Sequence, residues 1–306
     1  MDISSSPVPV GLSQHALEAA IVDLKSRDPR RRAAAANALG DAEQGDAASR
    51  AAEALVLILS DDRFEVRCAA ALALGDLGDP IALDPLLELM TDENREVRQA
   101  AVVALGRIGD DRAFDPLARA LLDGPPDVRF QAAISLVEID RQRAFEPLVS
   151  AVRDGDAEVR GNVAAALGLI GDRRAAGWLT ELLDDDRRET RFEAACSLAR
   201  MEDGRALEPL LDFLSDDTLS CLAIEALNQL GDPRAAHALH AVTKRWFLPR
   251  IFKMKAAAAL LAIAPDHEGA VYARKLLEKG LRSRHDVVRS VAKEALARGS
   301  GEHQCS

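Results

Sequence analysis

The chain has 306 residues, of which 48% are hydrophobic, 29% charged and only 4% aromatic, and it carries a net charge of −11. With one Tyr, two Trp and eight Phe, its core is built mostly from Ala, Leu and Val, which argues against a β-sandwich, a barrel or a ring-lined cofactor pocket. The acidic balance disfavours whole-surface binding to nucleic acid or anionic lipid, and the cysteines at 68, 196, 221 and 305 form neither a disulfide scaffold nor a zinc cluster.

The first residues contain Ser and Pro but no basic stretch followed by an apolar one, so nothing there reads as a secretion signal. The longest wholly apolar run, Ala256 to Ala264, is too short to span a bilayer, and a cytoplasmic protein is expected. Residues 1–12 and 299–306 are expected to be flexible tails on a single body spanning 13–298.

Internal repetition dominates the chain between them. Val66-Arg67, Val97-Arg98, Val128-Arg129, Val159-Arg160 and Thr190-Arg191 recur at steps of 31 residues. Seven residues after each Arg stands a Leu (74, 105, 136, 167, 198), and five before each Val or Thr stands an Asp: Asp61, Asp92, Asp123, Asp154 and Asp185. Arg32 with Leu39 fits the spacing upstream, as do Ser220 with Leu227, Lys253 with Leu260 and Arg289 with Leu296 downstream. That makes about nine units, regular over about 50–235 and atypical over 236–298.

Punctuation divides each unit into two helices. Gly78-Asp79-Pro80 and Gly231-Asp232-Pro233 each stop one helix and start the next, with the Asp placed to cap and the Pro at the first helical position. Pro85, Pro116, Pro147 and Pro209, each followed by Leu, begin or bend the first helix of a pair. An Asp turn and an Ala-rich second helix such as 97–108 follow; Ala favours the helix and lets neighbours approach closely.

The order Gly-Asp-Pro, Pro-Leu-Leu, Asp, Val-Arg, Ala-Ala, Ala-Leu-Gly resembles HEAT repeats of the short bacterial type, also called phycocyanobilin-lyase-like repeats, over nearly the whole chain. The resemblance implies an all-α fold, a right-handed α-solenoid of about nine two-helix repeats. Such repeats occur in scaffolds and adaptors, in bilin lyase subunits, in a di-iron hydroxylase and in some DNA glycosylases, so the fold alone does not select a function.

The Arg ladder (Arg67, Arg98, Arg129, Arg160, Arg191) and the Asp ladder read as structural: each Arg can bond a turn Asp of its own or a neighbouring unit. Function should lie where units differ while facing outward. Counted from the Val, positions 2, 6 and 10 of the second helices fall opposite the core face and line up along the expected concave surface. This strip and its rim supply the candidate partner-binding residues Leu72, Gln99, Val103, Arg107, Phe130, Gln131, Ile134, Asn162, Phe192, Glu193 and Arg200. Phe130 and Phe192 either anchor a partner helix or peptide there or lean sideways to fill gaps between helices.

Charge is unevenly placed. Residues 237–306 carry 13 basic and 6 acidic side chains, a net of +7, against −18 for residues 1–236. Within this end Lys244, Arg245, Trp246, Phe247, Arg250 and Lys253 break the repeat, forming either a second contact patch or a plug over the end of the core. Catalytic constellations are nearly absent. The resemblance to the di-iron hydroxylase implies His-Glu pairs at second-helix starts, where this sequence has Phe130-Gln131, Gly161-Asn162 and Phe192-Glu193; its one such pair, His267-Glu268, falls in a connection. No cofactor or metal is expected. The reading that follows is a non-enzymatic scaffold, monomeric, binding another protein rather than nucleic acid, with a bilin lyase-like subunit as the alternative and a glycosylase-like DNA-binding protein third.

Overall fold

The computed structural model describes residues 13–216 and 218–299; the expected tails, with His303 and Cys305, lie outside them apart from Gly299. Among the described residues there are eighteen α-helices in nine successive pairs and no strand. The chain divides into two compact units, Met1–Ala166 and Leu167–Ser306.

In the first unit α1 (Gln14–Asp23) pairs with α2 (Pro29–Gly40), α3 (Asp46–Val56) with α4 (Phe64–Leu77), and α5 (Leu83–Leu89) with α6 (Arg95–Ile108). Next come α7 (Phe114–Asp123) with α8 (Pro126–Ile139), then α9 (Arg141–Ala151) and α10 (Ala157–Ile170), which runs into the second unit. That unit continues with α11 (Ala176–Glu181) and α12 (Arg188–Arg200), α13 (Leu207–Phe213) and α14 (Ser220–Leu230), α15 (Ala236–Lys244) and α16 (Arg250–Ile263), and α17 (Ala270–Gly280) and α18 (Asp286–Gly299). Within the units the second helices stack: α4 packs on α2 and α6, and α6 on α8; likewise α12 packs on α14, α14 on α16 and α16 on α18.

The repeat positions become the core. Val66, Val97, Val128, Val159 and Thr190, and Leu74, Leu105, Leu136, Leu167 and Leu198 after them, are all buried. Each Leu removed from water contributes roughly 1.5–3 kcal/mol, so the recurring positions are a large part of the core of each repeat. Small residues set the helix spacing. A Cβ built on Gly75 of α4 would stand 2.7 Å from the Cα of Ala104 on α6, so only glycine permits this approach. Gly106 meets Ser135 of α8 in the same way, and the Ser135 hydroxyl donates to the Val102 carbonyl at 3.1 Å.

Asp79 accepts from the Ile81 amide at 3.0 Å and Asp232 from that of Arg234 at 2.9 Å, each capping a short 3₁₀ turn that leads into the first helix of a pair. The preceding second helices stop at Gly78, Gly109, Gly171 and Gly231, all left-handed with φ between 68° and 75°. One repeat after Gly171 the same conformation falls to Glu202, at φ 56°.

Candidate functional site

The Arg and Asp ladders make one repeated clamp. Arg67 donates in parallel to both carboxylate oxygens of Asp92 at 2.9 and 2.8 Å, and its third donor reaches the Asp61 carbonyl of its own unit at 2.9 Å. Arg32 holds Asp61 and the Ser26 carbonyl, and Arg129 holds Asp154 and the Gly124 carbonyl, in the same manner. Arg160 and Arg191 likewise donate to the carbonyls of Asp154 and Asp185, at 2.9 and 2.8 Å. The carboxylates of Asp61, Asp92, Asp154 and Asp185 also accept from the amide two residues on, which fixes each turn. Burial is the largest influence on Asp92 and raises its pKa, yet the Arg67 and Asn94 hydrogen bonds bring it below the ordinary carboxylate value.

The regular register fails at Asp123. That residue ends α7 and is exposed, and Arg98 clamps Asp127 instead, at 2.8 and 2.9 Å. The amide that a turn Asp at 123 would bond belongs to Pro125, which has no N–H. Asp127, in the first turn of α8, supplies the carboxylate in its place.

With clamp and core assigned, the strip along the second helices stands apart. Leu72 on α4, Gln99 and Val103 on α6, and Phe130, Gln131 and Ile134 on α8 are all half-buried. Arg107 is exposed and pairs with Asp76 of the preceding unit at 2.6 Å, while the Asn162 side chain donates to the Phe130 carbonyl at 2.8 Å. A cleft of about 260 Å³ opens beside Gln99 and Phe130, walled by Arg95, Arg98, Asp127 and Glu158. Phe192 does not belong to this surface. It is only 3% exposed, and its ring meets Phe213 of α13 edge-on at 4.9 Å, because α13 lies over that side of α12. Nearby Glu193 is half-buried, and burial raises its pKa; Arg200 is exposed beside the Ser197 hydroxyl.

In the second unit Trp246 and Phe247 are 86% and 94% exposed on the turn between α15 and α16, so they do not plug the core; Phe252 is half-buried. The neighbouring cations divide in role. Arg245 donates to the Leu214 carbonyl and Arg250 to that of Lys279 at 3.0 Å, both holding the turn, whereas Lys244 stays exposed. A cleft of about 730 Å³ runs over α14, α16 and α18, with the ion pair Lys255–Glu225 and the side chains of Asn228, Glu294 and Arg298 on its walls.

Sequence reasoning passed over a cluster of histidines. His237, second residue of α15, stands close to His267 and Glu268 of the 264–269 connector, with one ligand atom from each within 4.8 Å of the others. The Gly269 amide donates to His267 Nδ1 at 3.0 Å, and the His240 ring meets that of His267 edge-on at 5.7 Å. His240 Nε2 is buried without a partner; burial, then Lys244 and His267, lower the pKa of this ring. Gly269 makes room for it, since a Cβ there would stand 2.2 Å from His240 Nδ1. A signal existed: 237 and 267 are about one repeat apart, and the repeat brings equivalent segments side by side.

A family model for HEAT repeats matches residues 52–137, 120–199 and 145–220. Among solved structures, the chain is similar to YibA of E. coli, at 22% identity over 80% of this chain and 91% of that one, with TM-score 0.54. It also overlaps the complex of CpcE and CpcF of phycocyanin lyase from Nostoc sp. (24% identity, 91% of this chain and 99% of that chain, TM-score 0.43). A third overlap is with human deoxyhypusine hydroxylase in complex with glycerol (20% identity, 94% and 97%, TM-score 0.39). No curated protein matches the sequence. The likeness to YibA is one of fold.

Proposed function

The chain belongs to the HEAT-repeat family, and from that premise we propose that it is a scaffold that binds another protein along the second helices of its first unit. The carrying observation is the half-exposed row Leu72, Gln99, Val103, Phe130 and Ile134, where side chains vary from unit to unit while clamp and core positions repeat. A fold that needed those positions would repeat them too. The row combines apolar side chains with a cleft beside Gln99 and Phe130 and a charged wall, which suits a helix or extended peptide carrying an apolar anchor. The exposed Trp246 and Phe247 are a second contact for the same role, since adjacent exposed aromatic rings are characteristic anchors in protein interfaces.

The test is site-directed photocrosslinking in the native cell from position 103. A discrete partner that crosslinks to the parent and is lost on Gln99→Ala with Phe130→Ala, in a variant that still melts cooperatively above the assay temperature, supports the reading. Partner capture unaffected by the double substitution overturns it. A Trp246→Ser, Phe247→Ser variant tested in parallel separates the two contacts.

A further inference from the structure

We propose that His237, His267 and Glu268 form a binding site for a divalent transition-metal ion of the zinc type, bridging α15 and the connector that leads into α17. The donor set carries the choice of ion. Two imidazoles and one carboxylate suit zinc and its borderline neighbours, whereas calcium and magnesium seek oxygen ligands. Ligand atoms around a tetrahedral zinc stand about 3.4 Å apart, as follows from bonds of about 2.1 Å. The three groups lie within 4.8 Å of one another, so small side-chain rotations close the site. Three protein ligands leave a coordination position for water.

The surroundings hold the ligands in place. His267 is half-buried, oriented by the Gly269 amide at Nδ1 and by the edge of the His240 ring, so one ligand is fixed before any ion arrives. The amide contact leaves a lone pair on Nδ1 and places the proton of the neutral ring on Nε2. An ion at Nδ1 replaces that hydrogen bond, and one at Nε2 moves the ring proton to Nδ1, which can then no longer accept from the Gly269 amide. His237 and Glu268 are exposed and give the ion an open entry path. The His240 imidazole, with its buried unpartnered Nε2, is a third imidazole next to the cluster. These residues belong to the second unit and share none with the row assigned to the protein partner in the first, so the two proposals are tested by different variants.

Full-length protein stripped with a chelator is titrated with Zn²⁺ by calorimetry, and Co²⁺ loading is followed in the visible spectrum. One ion per chain is expected, with a rise in melting temperature. His237→Ala, His267→Ala and Glu268→Gln should each weaken binding by roughly tenfold or more, while His285→Ala, outside the cluster, should bind as the parent does. His237 and Glu268 are exposed, so their variants test binding without loss of the fold. No saturable binding, equal affinity in a His237→Ala, Glu268→Gln double variant, or thiolate charge-transfer bands in the Co²⁺ spectrum would each overturn the proposal.

Discussion

Arg98 reaches one helix pair onward and grips Asp127 through two parallel N–H···O bonds, although the 31-residue register points to Asp123. The clamp survives because what it requires is a carboxylate at one place in space rather than at one place in the sequence. Where Pro125 removes the amide that a turn Asp at 123 needs, Asp127 in the first turn of α8 supplies the carboxylate.

Breaking one clamp should cost more than a surface ion pair does. Arg67 and Asp92 expose only 9% and 10% of their side chains, so Arg67→Ala leaves a shielded carboxylate unpaired, at roughly 2–4 kcal/mol by urea denaturation. Lys at 67 should restore only part, since a point charge cannot serve both carboxylate oxygens and the Asp61 carbonyl. Asp61, Asp92 and Asp154 sit below the ordinary value of 3.8, because hydrogen bonds outweigh the upward push of burial. Their stabilisation is therefore complete above pH 3.8 and is lost as pH falls through the lower folded values, and Arg67→Ala should flatten that acid slope.

Two glycines should respond in opposite directions. Gly75→Val drives its side chain into the Ala104 backbone and should destabilise by roughly 1–3 kcal/mol. Gly177, helical in α11 with open space around its Cβ position, should gain about 0.5–1 kcal/mol on Gly177→Ala. Thermal melting reads both.

Glu202 occupies the left-handed position that glycine takes in four other units. Glu202→Gly should raise stability by about 1 kcal/mol, seen as a higher melting temperature. A fall would mean that the Glu side chain contributes more than its backbone costs.

Phe130 and Phe192 share a position in the repeat and differ in burial. Phe192→Ala removes a buried ring from Phe213 and should cost roughly 3–5 kcal/mol. Phe130→Ala, at a half-exposed site, should cost about 1–2 kcal/mol. Equal losses by denaturant titration would remove the distinction between row and core.

Cys68 and Cys196 should be slow nucleophiles. Burial, followed by Glu96, pushes Cys68 up to about 11, and burial, followed by Glu193, pushes Cys196 up to about 12. Alkylation by iodoacetamide at pH 8 should be much slower than in the unfolded chain, because only about one thiol in a thousand is ionised at Cys68. Mass spectrometry of timed samples measures it.

The period of 31 residues, the buried Val and Leu positions and the Asp-Pro starts of helices were legible in the sequence because each is a local rule repeated many times. Repetition also marked the strip on the second helices as the place where units differ. Exposure was not legible. Phe192 and Phe130 have the same register, and only the approach of α13, bringing Phe213 against one ring, separates core from surface. The exposed turn at Trp246 and Phe247 was similarly open to two readings until the path of the chain between α15 and α16 was known.

The sequence by itself determined the architecture: an all-α repeat whose helix pairs are set by spacing, capping and small residues, since these act between neighbours along the chain. Only the tertiary structure decided which carboxylate completes the clamp of Arg98, which aromatic rings remain available and that His237 meets His267 and Glu268. Those outcomes depend on side chains brought together from different helix pairs, where a single proline or one neighbouring ring changes what is buried and what is free to bind.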